Sequence, residues 1–164
     1  MSTLDESTSM FTGSRGKRTV LLVDDNVDDI TLALRALRKA GITNQVHVAH
    51  DGVEALDYLF NIESEDNQQT QMAWPAVILL DLKMPRLNGL EVLKRVRQDK
   101  RTSLIPVVML STSDVEQDII NSYTLGANSY IRKSVNISTF TESMRLFGSY
   151  WLDINELPPL GDVN

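Results

Sequence analysis

Short aliphatic runs alternate along this chain with longer segments in which apolar residues recur every three or four positions. A continuous aliphatic run is typical of a strand buried on both faces of a parallel sheet, whereas alternation with polar residues is typical of a more peripheral strand. Val46 and Val48 follow the second pattern. The predicted strands are Val20–Val23, Val46–Val48, Ala76–Leu80, Val107–Leu110 and a short last strand, Tyr130–Lys133.

Helical periodicity follows each predicted strand. After the first strand, Ile30, Leu34 and Leu37 share one helical face, and Gly41 follows as a helix stop. The predicted helices are Asp28–Ala40, Val53–Phe60, Gly89–Val96, a helix from about Val115 to Leu125, and a last helix, N-capped by Ser138 or Thr139, that runs towards Phe147. This alternation predicts a doubly wound α/β domain, because right-handed crossovers place helices on both faces of a five-stranded parallel sheet.

Polar segments flank and interrupt this pattern. Residues 1–17 are rich in serine and threonine and predict a disordered leader, because they lack the apolar core of a secretory signal. Ile62–Met72 is rich in Asn, Gln and Glu and predicts a flexible loop before the third strand. We therefore expect one domain at residues 18–148, followed by a C-terminal tail at residues 149–164.

Composition narrows the class of protein. The chain has 164 residues, 42% of them hydrophobic and 23% charged, which is typical of one globular domain without a membrane span. The absence of cysteine excludes disulfides and thiolate sites, so we expect a reducing compartment, the cytoplasm. A net charge of −6 without a clustered cationic face argues against binding to nucleic acid.

Polar side chains stand where the predicted strands end. Asp24 and Asp25 follow the first strand, and Asp81 follows the third. Ser111 follows the fourth strand, and Lys133 ends the fifth. In doubly wound sheets, ligands bind at the carboxyl ends of the strands, so we expect these side chains to converge on one site.

Three clustered carboxylates predict a divalent metal site. Two unit charges about 4 Å apart repel by roughly 4 kcal/mol at a partly buried site. Mg²⁺ removes this repulsion, because it binds carboxylates together with waters and phosphate oxygens. Asp81 could then act as a nucleophile that forms an acyl phosphate. Lys133 supplies a flexible point charge and Ser111 a hydroxyl donor for the arriving phosphoryl group.

Four separated motifs resemble the signatures of response-regulator receiver domains. They are Val-Asp-Asp at 23–25, Leu-Leu-Asp-Leu-Lys-Met-Pro at 79–85, Met-Leu-Ser at 109–111 and Gly-Ala-Asn-Ser-Tyr-Ile-Arg-Lys at 126–133. The resemblance extends over about Lys17–Phe147, and the order of the motifs is more specific than any one of them. It implies the flavodoxin-like strand order 2-1-3-4-5.

The resemblance also implies a role for each site residue. Asp81 would be the phosphoacceptor, while Ser111 and Lys133 would contact the phosphoryl group. Ser111 and Tyr130 would form the switch, although Tyr130 on its own would be interpreted as a half-buried strand aromatic. The Mg²⁺ ligands would be the carboxylates of Asp24, Asp25 and Asp81 and the main-chain carbonyl of Lys83.

A narrower resemblance is to the small response regulators paired with phytochrome-type histidine kinases. They too have Lys-Ser, as at Lys133 and Ser134, where most receivers have Lys-Pro, and a tail similar to Tyr-Trp-Leu-Asp at 150–153. The resemblance implies a sensor histidine kinase of the phytochrome type as partner. A cis bond before a residue other than proline costs about 2.5–4 kcal/mol, which leaves the geometry after Lys133 open.

Large apolar side chains follow the last predicted helix, where the domain should already be complete. Their burial requires either a partner or a fold-back onto the same chain. By resemblance to the phytochrome-associated regulators, we favour a homodimer. The candidate contact residues are Phe147, Tyr150, Trp151 and Leu152.

Other functions share parts of this pattern. A flavodoxin-like cofactor binder needs a phosphate-binding loop of glycines and hydroxyls after the first strand, where this chain has Asp-Asp-Asn-Val-Asp-Asp. A phosphohydrolase of the haloacid-dehalogenase group would have an aspartate where this chain has Lys83. A receiver that binds proteins without phosphorylation stays open. We favour a single-domain switch that accepts phosphate from a histidine kinase and is not an enzyme beyond slow self-dephosphorylation.

Overall fold

Five parallel strands form one sheet in the order β2-β1-β3-β4-β5. The computed structural model describes residues 18–62 and 74–159. The predicted fold class and strand order are confirmed. The strands are β1 (Val20–Val23), β2 (Val46–Ala49), β3 (Val77–Asp81), β4 (Val107–Ser111) and β5 (Ser129–Arg132).

Each strand is followed by a helix. Gly41 follows the first helix with a φ of 84°, a conformation that glycine adopts without strain, so the predicted helix stop is confirmed. Within residues 18–62 and 74–159, the α-helices are α1 (Val27–Lys39), α2 (Gly52–Phe60), α3 (Gly89–Gln98), α4 (Glu116–Thr124) and α5 (Ile137–Ser149).

The N-cap of α5 differs from the prediction. Neither Ser138 nor Thr139 caps this helix, because both already lie within it. The side-chain oxygen of Asn136 accepts a hydrogen bond from the Thr139 N–H at 3.0 Å. Asparagine is as good an N-cap as serine, and Asn136 occurs earlier in the chain, so the helix begins sooner than we expected.

Two apolar layers cover the sheet. Alternate residues of each strand point to opposite faces, so Leu21 and Val23 pack with α2 and α3, whereas Val20 and Leu22 pack with α1 and α5. The central strands β1, β3 and β4 are buried along their whole length. Because both faces are covered, the ends of the strands are the part of the sheet that is open to a ligand.

The C-terminal segment folds back onto its own domain. Helix α5 continues into a π-helical turn, Tyr150–Ile154. Phe147 and Leu152 are only 3% and 4% exposed, because they pack into the apolar layer shared with α1. The Arg18 guanidinium also donates a hydrogen bond to the Asn155 carbonyl at 2.8 Å.

Two of the four predicted contact residues are therefore buried within their own chain, as the fold-back alternative expects. Phe147 and Leu152 belong to the core of their own chain and do not form an exposed interface. Tyr150 is exposed, and Trp151 is half-buried with its ring edge-on to that of Tyr150. These two side chains remain candidates for contact with another molecule.

Some predictions fall on residues that the structure does not describe. The predicted leader at residues 1–17, nearly all of the predicted loop Ile62–Met72, and residues 160–164 of the tail lie outside the described residues. The peptide bond between Lys133 and Ser134 is trans, like the others in the described ranges. No helix among residues 18–62 and 74–159 combines the length and apolar character that crossing a membrane requires.

Candidate functional site

Three carboxylates meet where β1 and β3 end. Carboxylate oxygens of Asp24, Asp25 and Asp81 all lie within 4.8 Å of one another. Asp24 and Asp81 are 2% and 7% exposed, whereas Asp25 faces solvent. A small, hard cation prefers a set of oxygen donors that keeps an open side for water and ligand oxygens, so this carboxylate cluster suits Mg²⁺.

Local backbone structure fixes the orientation of Asp24. Its N–H donates to the Ala49 carbonyl at 3.1 Å, which extends the pairing of β1 with β2 by one residue. Its Oδ1 accepts a hydrogen bond from the Asn26 N–H at 3.0 Å, and Asn26 in turn caps α1. The turn between β1 and α1 therefore presents the second carboxylate oxygen of Asp24 to the site.

Asp81 is the last residue of β3, not the residue after it. The prediction ended this strand one residue too early, because an aspartate is rare inside a buried strand. Gly89, the first residue of α3, packs directly on the Asp81 backbone, and a side chain there would collide with the Asp81 carbonyl. Glycine at position 89 thus allows α3 to lie directly beneath the nucleophile candidate.

Lys133 is the cation of the site. Its Nζ donates to Asp24 Oδ2 at 2.7 Å, to Asp29 Oδ2 at 2.9 Å and to Asp81 Oδ1 at 3.3 Å. The predicted convergence of Lys133 with Asp24 and Asp81 is confirmed, whereas the contact with Asp29 was not predicted. Asp29 lies in the first turn of α1, where an acidic residue is ordinarily explained by the helix dipole.

Burial and charge perturb both partners of this ion pair. Burial raises the pKa of the Asp81 carboxyl to about 6, the Lys133 ammonium opposes the shift, and the charges of Asp24 and Asp25 add to it. Burial alone would lower the pKa of the Lys133 ammonium, but its hydrogen bond to Asp24 and the charge of Asp81 raise the pKa above its ordinary value. Lys133 therefore stays charged at neutral pH, and Asp81 needs nearby positive charge to stay fully ionised.

Ser111 and Tyr130 are joined through one residue of the loop after β4. The Ser111 Oγ is buried and accepts a hydrogen bond from the Ser113 N–H at 3.1 Å. The Tyr130 hydroxyl donates to the Ser113 carbonyl at 2.9 Å. A movement of the Ser111 hydroxyl therefore disturbs the same peptide segment that holds the Tyr130 ring.

The side chain of Ser113 ties this loop to α4. Its Oγ donates to Asp118 Oδ2 at 2.6 Å and accepts from the Val115 N–H at 3.2 Å. The Lys83 ammonium lies 4.0 Å from the same Asp118 carboxylate. Sequence reasoning missed Ser113 and Asp118, because a serine and an aspartate near a helix start are common in capping turns.

The main-chain carbonyl of Lys83 stays a predicted metal ligand. Lys83 follows the end of β3 by two positions, beside the carboxylate cluster, and its side chain is exposed. The structure confirms that the side chains predicted at the strand ends lie at the carboxyl edge of the sheet: Asp24, Asp25, Asp81, Ser111 and Lys133. This edge therefore combines a carboxylate cluster that suits a divalent cation, a buried carboxylate, an ammonium and a hydroxyl.

The sequence of this chain is similar to those of known response regulators. The profile of the response regulator receiver domain matches residues 20–145 of the chain. The response regulator Rcp1 of Synechocystis is 33% identical over 145 residues, which cover 88% of this chain and 96% of Rcp1. The Mn²⁺-bound form of Rcp1 has a TM-score of 0.75 to this structure, over 87% of this chain and 99% of Rcp1.

Solved structures extend the similarity to regulators of phytochromes. The phosphorylated cyanobacterial phytochrome response regulator RcpA has a TM-score of 0.77 and 38% identity, over 87% of this chain and 99% of RcpA. The bacteriophytochrome response regulator AtBRR has a TM-score of 0.67 and 44% identity, over 85% of this chain and 99% of AtBRR. Both similarities extend over at least 85% of this chain.

Proposed function

This chain belongs to the response regulator receiver domain family of two-component systems, and we propose that Asp81 is its phosphoacceptor. A buried carboxylate that shares one ammonium with a neighbouring aspartate is the observation that supports this role: Lys133 contacts both Asp24 and Asp81. The protein acts as a switch and not as an enzyme, apart from slow hydrolysis of its own acyl phosphate. We place this phosphoryl transfer in the cytoplasm, where histidine kinases are phosphorylated by ATP.

The proposed reaction transfers a phosphoryl group between two side chains. One Oδ of Asp81 forms a bond to phosphorus as the phosphorus–nitrogen bond of a phosphohistidine breaks, and the leaving nitrogen keeps the electron pair. Lys133 stays close to the acceptor throughout and can follow the phosphoryl oxygens, because its flexible chain carries a point charge. The Ser111 hydroxyl donates to one of those oxygens after transfer.

A divalent cation completes the site. Asp24, Asp25 and Asp81 would hold Mg²⁺ with their carboxylates, together with the Lys83 carbonyl. When bound, Mg²⁺ supplies positive charge that neutralises the oxygens of the transferred group. The Mn²⁺-bound form of the related Rcp1 supports a divalent ion here.

The function is tested by direct phosphorylation. We expect the full chain, incubated with acetyl phosphate and Mg²⁺, to gain the mass of one phosphoryl group in intact-mass spectrometry. The adduct should be stable in acid and lost in base, as an acyl phosphate is, and it should not form when EDTA replaces Mg²⁺. An adduct that survives base would be a phosphoester on a hydroxyl, and it would contradict the proposal.

We infer that the partner is a sensor histidine kinase of the phytochrome type, as the names of RcpA and AtBRR suggest. A phosphohistidine must reach Asp81, so the kinase has to cover the surface beside Lys133. A groove of about 360 Å³ lies there between α1 and α5. Leu32, Val135 and Ile137 line it and expose apolar surface, which suits a protein partner.

Replacing Ser111 by alanine should separate phosphorylation from switching. The Ser111→Ala protein keeps the nucleophile and the carboxylate cluster, so we expect it to bind the phosphate mimic beryllofluoride. It lacks the hydroxyl that joins the mimic to the Ser113 segment. One net hydrogen bond of about 1 kcal/mol corresponds to about a fivefold loss in the population of the switched state. The measurement is the NMR shift of the Tyr130 ring on addition of the mimic.

The matched control is Ser103→Ala, which removes a hydroxyl from the turn after α3. We expect this variant to respond at Tyr130 as the wild type does. An equal Tyr130 response in wild type and in Ser111→Ala would show that the two side chains are not coupled through Ser113.

We also infer a homodimer, formed through the surface beside the C-terminal segment. Ile131, Leu146, Tyr150 and Trp151 line a shallow groove of about 490 Å³, here called the tail groove. Leu146 and Tyr150 are exposed, and aromatic residues are enriched at interface cores. In a two-fold dimer the same groove would meet its copy.

A single charge in the tail groove should abolish this dimer. Leu146→Glu leaves the buried Phe147 and Leu152 in place, so it is a cleaner test than deletion of the segment. We expect the wild type to be dimeric by light scattering at tens of micromolar, where modest interfaces form, and Leu146→Glu to be monomeric. Val53→Glu is the control, because Val53 is 51% exposed against 54% for Leu146 and lies on α2, across the sheet. A wild type that is monomeric, or a Leu146→Glu protein that stays dimeric, would eliminate the tail groove as the interface.

A further inference from the structure

Asp29 is a fourth carboxylate at the site, and the phosphoacceptor function does not account for it. It is not one of the three carboxylates that lie close enough together to hold a metal ion. It is not the nucleophile either. Its Oδ2 nevertheless lies 2.9 Å from the Lys133 ammonium, closer than the nucleophile Asp81 at 3.3 Å.

The ammonium of Lys133 has no donor to spare. A lysine has three N–H donors, and those of Lys133 are directed to three carboxylates, Asp24, Asp29 and Asp81. An additional oxygen can be bound only if one of these partners is released. A phosphoryl oxygen that approaches Lys133 therefore competes with a carboxylate that is already there.

Asp29 is the partner that can be released without damage to the rest of the site. Asp24 belongs to the carboxylate cluster, and Asp81 itself becomes the acyl phosphate. Asp29 is 34% exposed at its side chain, against 3% for Asp24, so water can solvate its carboxylate after the ion pair opens. Its main chain stays fixed, because the Asp29 N–H donates to the capping side chain of Asn26 at 3.1 Å.

On this geometry, and on the proposed function, we propose that Asp29 is a positioning residue that holds Lys133 in the resting state and must give it up when the phosphoryl group arrives. Asp29 thereby lowers the affinity of the site for the phosphoryl group. Its own negative charge acts in the same direction, since it faces an arriving group that is itself anionic.

The test compares two neutral substitutions one residue apart. Asp29→Asn removes the charge that contacts Lys133, and Asp28→Asn removes the same charge from the neighbouring, exposed position in the first turn of α1. Beryllofluoride affinity with Mg²⁺ is measured by NMR titration. We expect Asp29→Asn to bind the mimic about threefold more tightly than wild type, as for loss of a partly exposed ion pair, and Asp28→Asn to bind like wild type.

Two side-chain signals supply a readout that does not depend on a variant. In the wild-type chain, the Nζ resonance of Lys133 and the carboxyl carbon of Asp29 should both shift when the mimic binds, whereas the carboxyl carbon of Asp28 should not. The Nζ resonance should also differ between wild type and Asp29→Asn before any mimic is added. A structural role of Asp29 confined to the start of α1 would leave the Asp29 carboxyl signal unmoved by the mimic, and the resting Nζ resonance would be the same in wild type and in Asp29→Asn.

Each outcome decides between the proposals. Binding by Asp29→Asn that equals or falls below that of Asp28→Asn overturns the role of Asp29, while tight binding by the wild type leaves the phosphoacceptor function intact. An Asp29 carboxyl signal that ignores the mimic also overturns the role of Asp29. A wild type that does not bind beryllofluoride overturns the phosphoacceptor function, and the role of Asp29 fails with it.

Discussion

The Asp81→Asn protein is expected to gain no phosphoryl group from acetyl phosphate and Mg²⁺, under conditions that modify the wild type completely. Asparagine has nearly the same shape as aspartate, so it fits the buried position of Asp81, which is only 7% exposed. Its amide is not a nucleophile at neutral pH, and no other carboxylate of the cluster ends the central strand β3. Intact-mass spectrometry measures the result.

The same substitution elsewhere controls for loss of a negative charge. Asp57→Asn lies on the exposed side of α2 and should be phosphorylated like the wild type. If the Asp81→Asn protein still gained a base-labile phosphoryl group, the nucleophile would have to be another carboxylate. Asp24 is the nearest buried one.

The second large effect concerns Mg²⁺ itself. We expect Asp25→Asn to weaken Mg²⁺ binding by about tenfold or more, because even residues that only orient metal ligands cost about 10- to 100-fold when they are changed. Calorimetry on the chain without phosphate measures this affinity, and the initial rate of phosphorylation should fall in parallel. Asp24→Asn should also bind Mg²⁺ weakly, but it breaks the 2.7 Å ion pair with Lys133 as well. Asp25→Asn is therefore the cleaner variant.

Asp28→Asn again supplies the comparison, since it lowers the negative charge near the site without removing a carboxylate of the cluster. It should bind Mg²⁺ within about twofold of wild type, the effect of a screened surface charge. Unchanged Mg²⁺ affinity in both Asp24→Asn and Asp25→Asn would mean that the carboxylate cluster is not the metal site.

Local sequence patterns were sufficient to predict the types of element, because the central strands β1, β3 and β4 are buried along their whole length. Val20–Val23 and Val107–Leu110 have no polar residue, are rich in valine and are too short for a helix, so they predict buried strands. The ends of these runs also marked Asp24, Asp81 and Ser111 as neighbours, since parallel strands end at the same edge. The order of the strands came from the resemblance of the motifs, and the structure agrees with it.

Local sequence patterns could not predict contacts between elements that are far apart in the chain. Asp29 meets Lys133 across 104 positions of the chain, and its local signal is that of an ordinary acidic first turn. The fold-back of Phe147 and Leu152 depends in the same way on the surface of α1. A run of apolar residues shows that burial is required, but it does not show which surface provides it.

The contact between Arg18 and Asn155 joins the two ends of the described chain, 137 positions apart, at 2.8 Å. Arg18 precedes β1, so this contact lies at the amino edge of the sheet, whereas the carboxylate cluster lies at the carboxyl edge. Fluorescent donor and acceptor dyes attached at the two ends would start close together and stay so while the carboxyl edge rearranges. The efficiency of energy transfer between the dyes would report whether the domain is folded, and it would not change on phosphorylation.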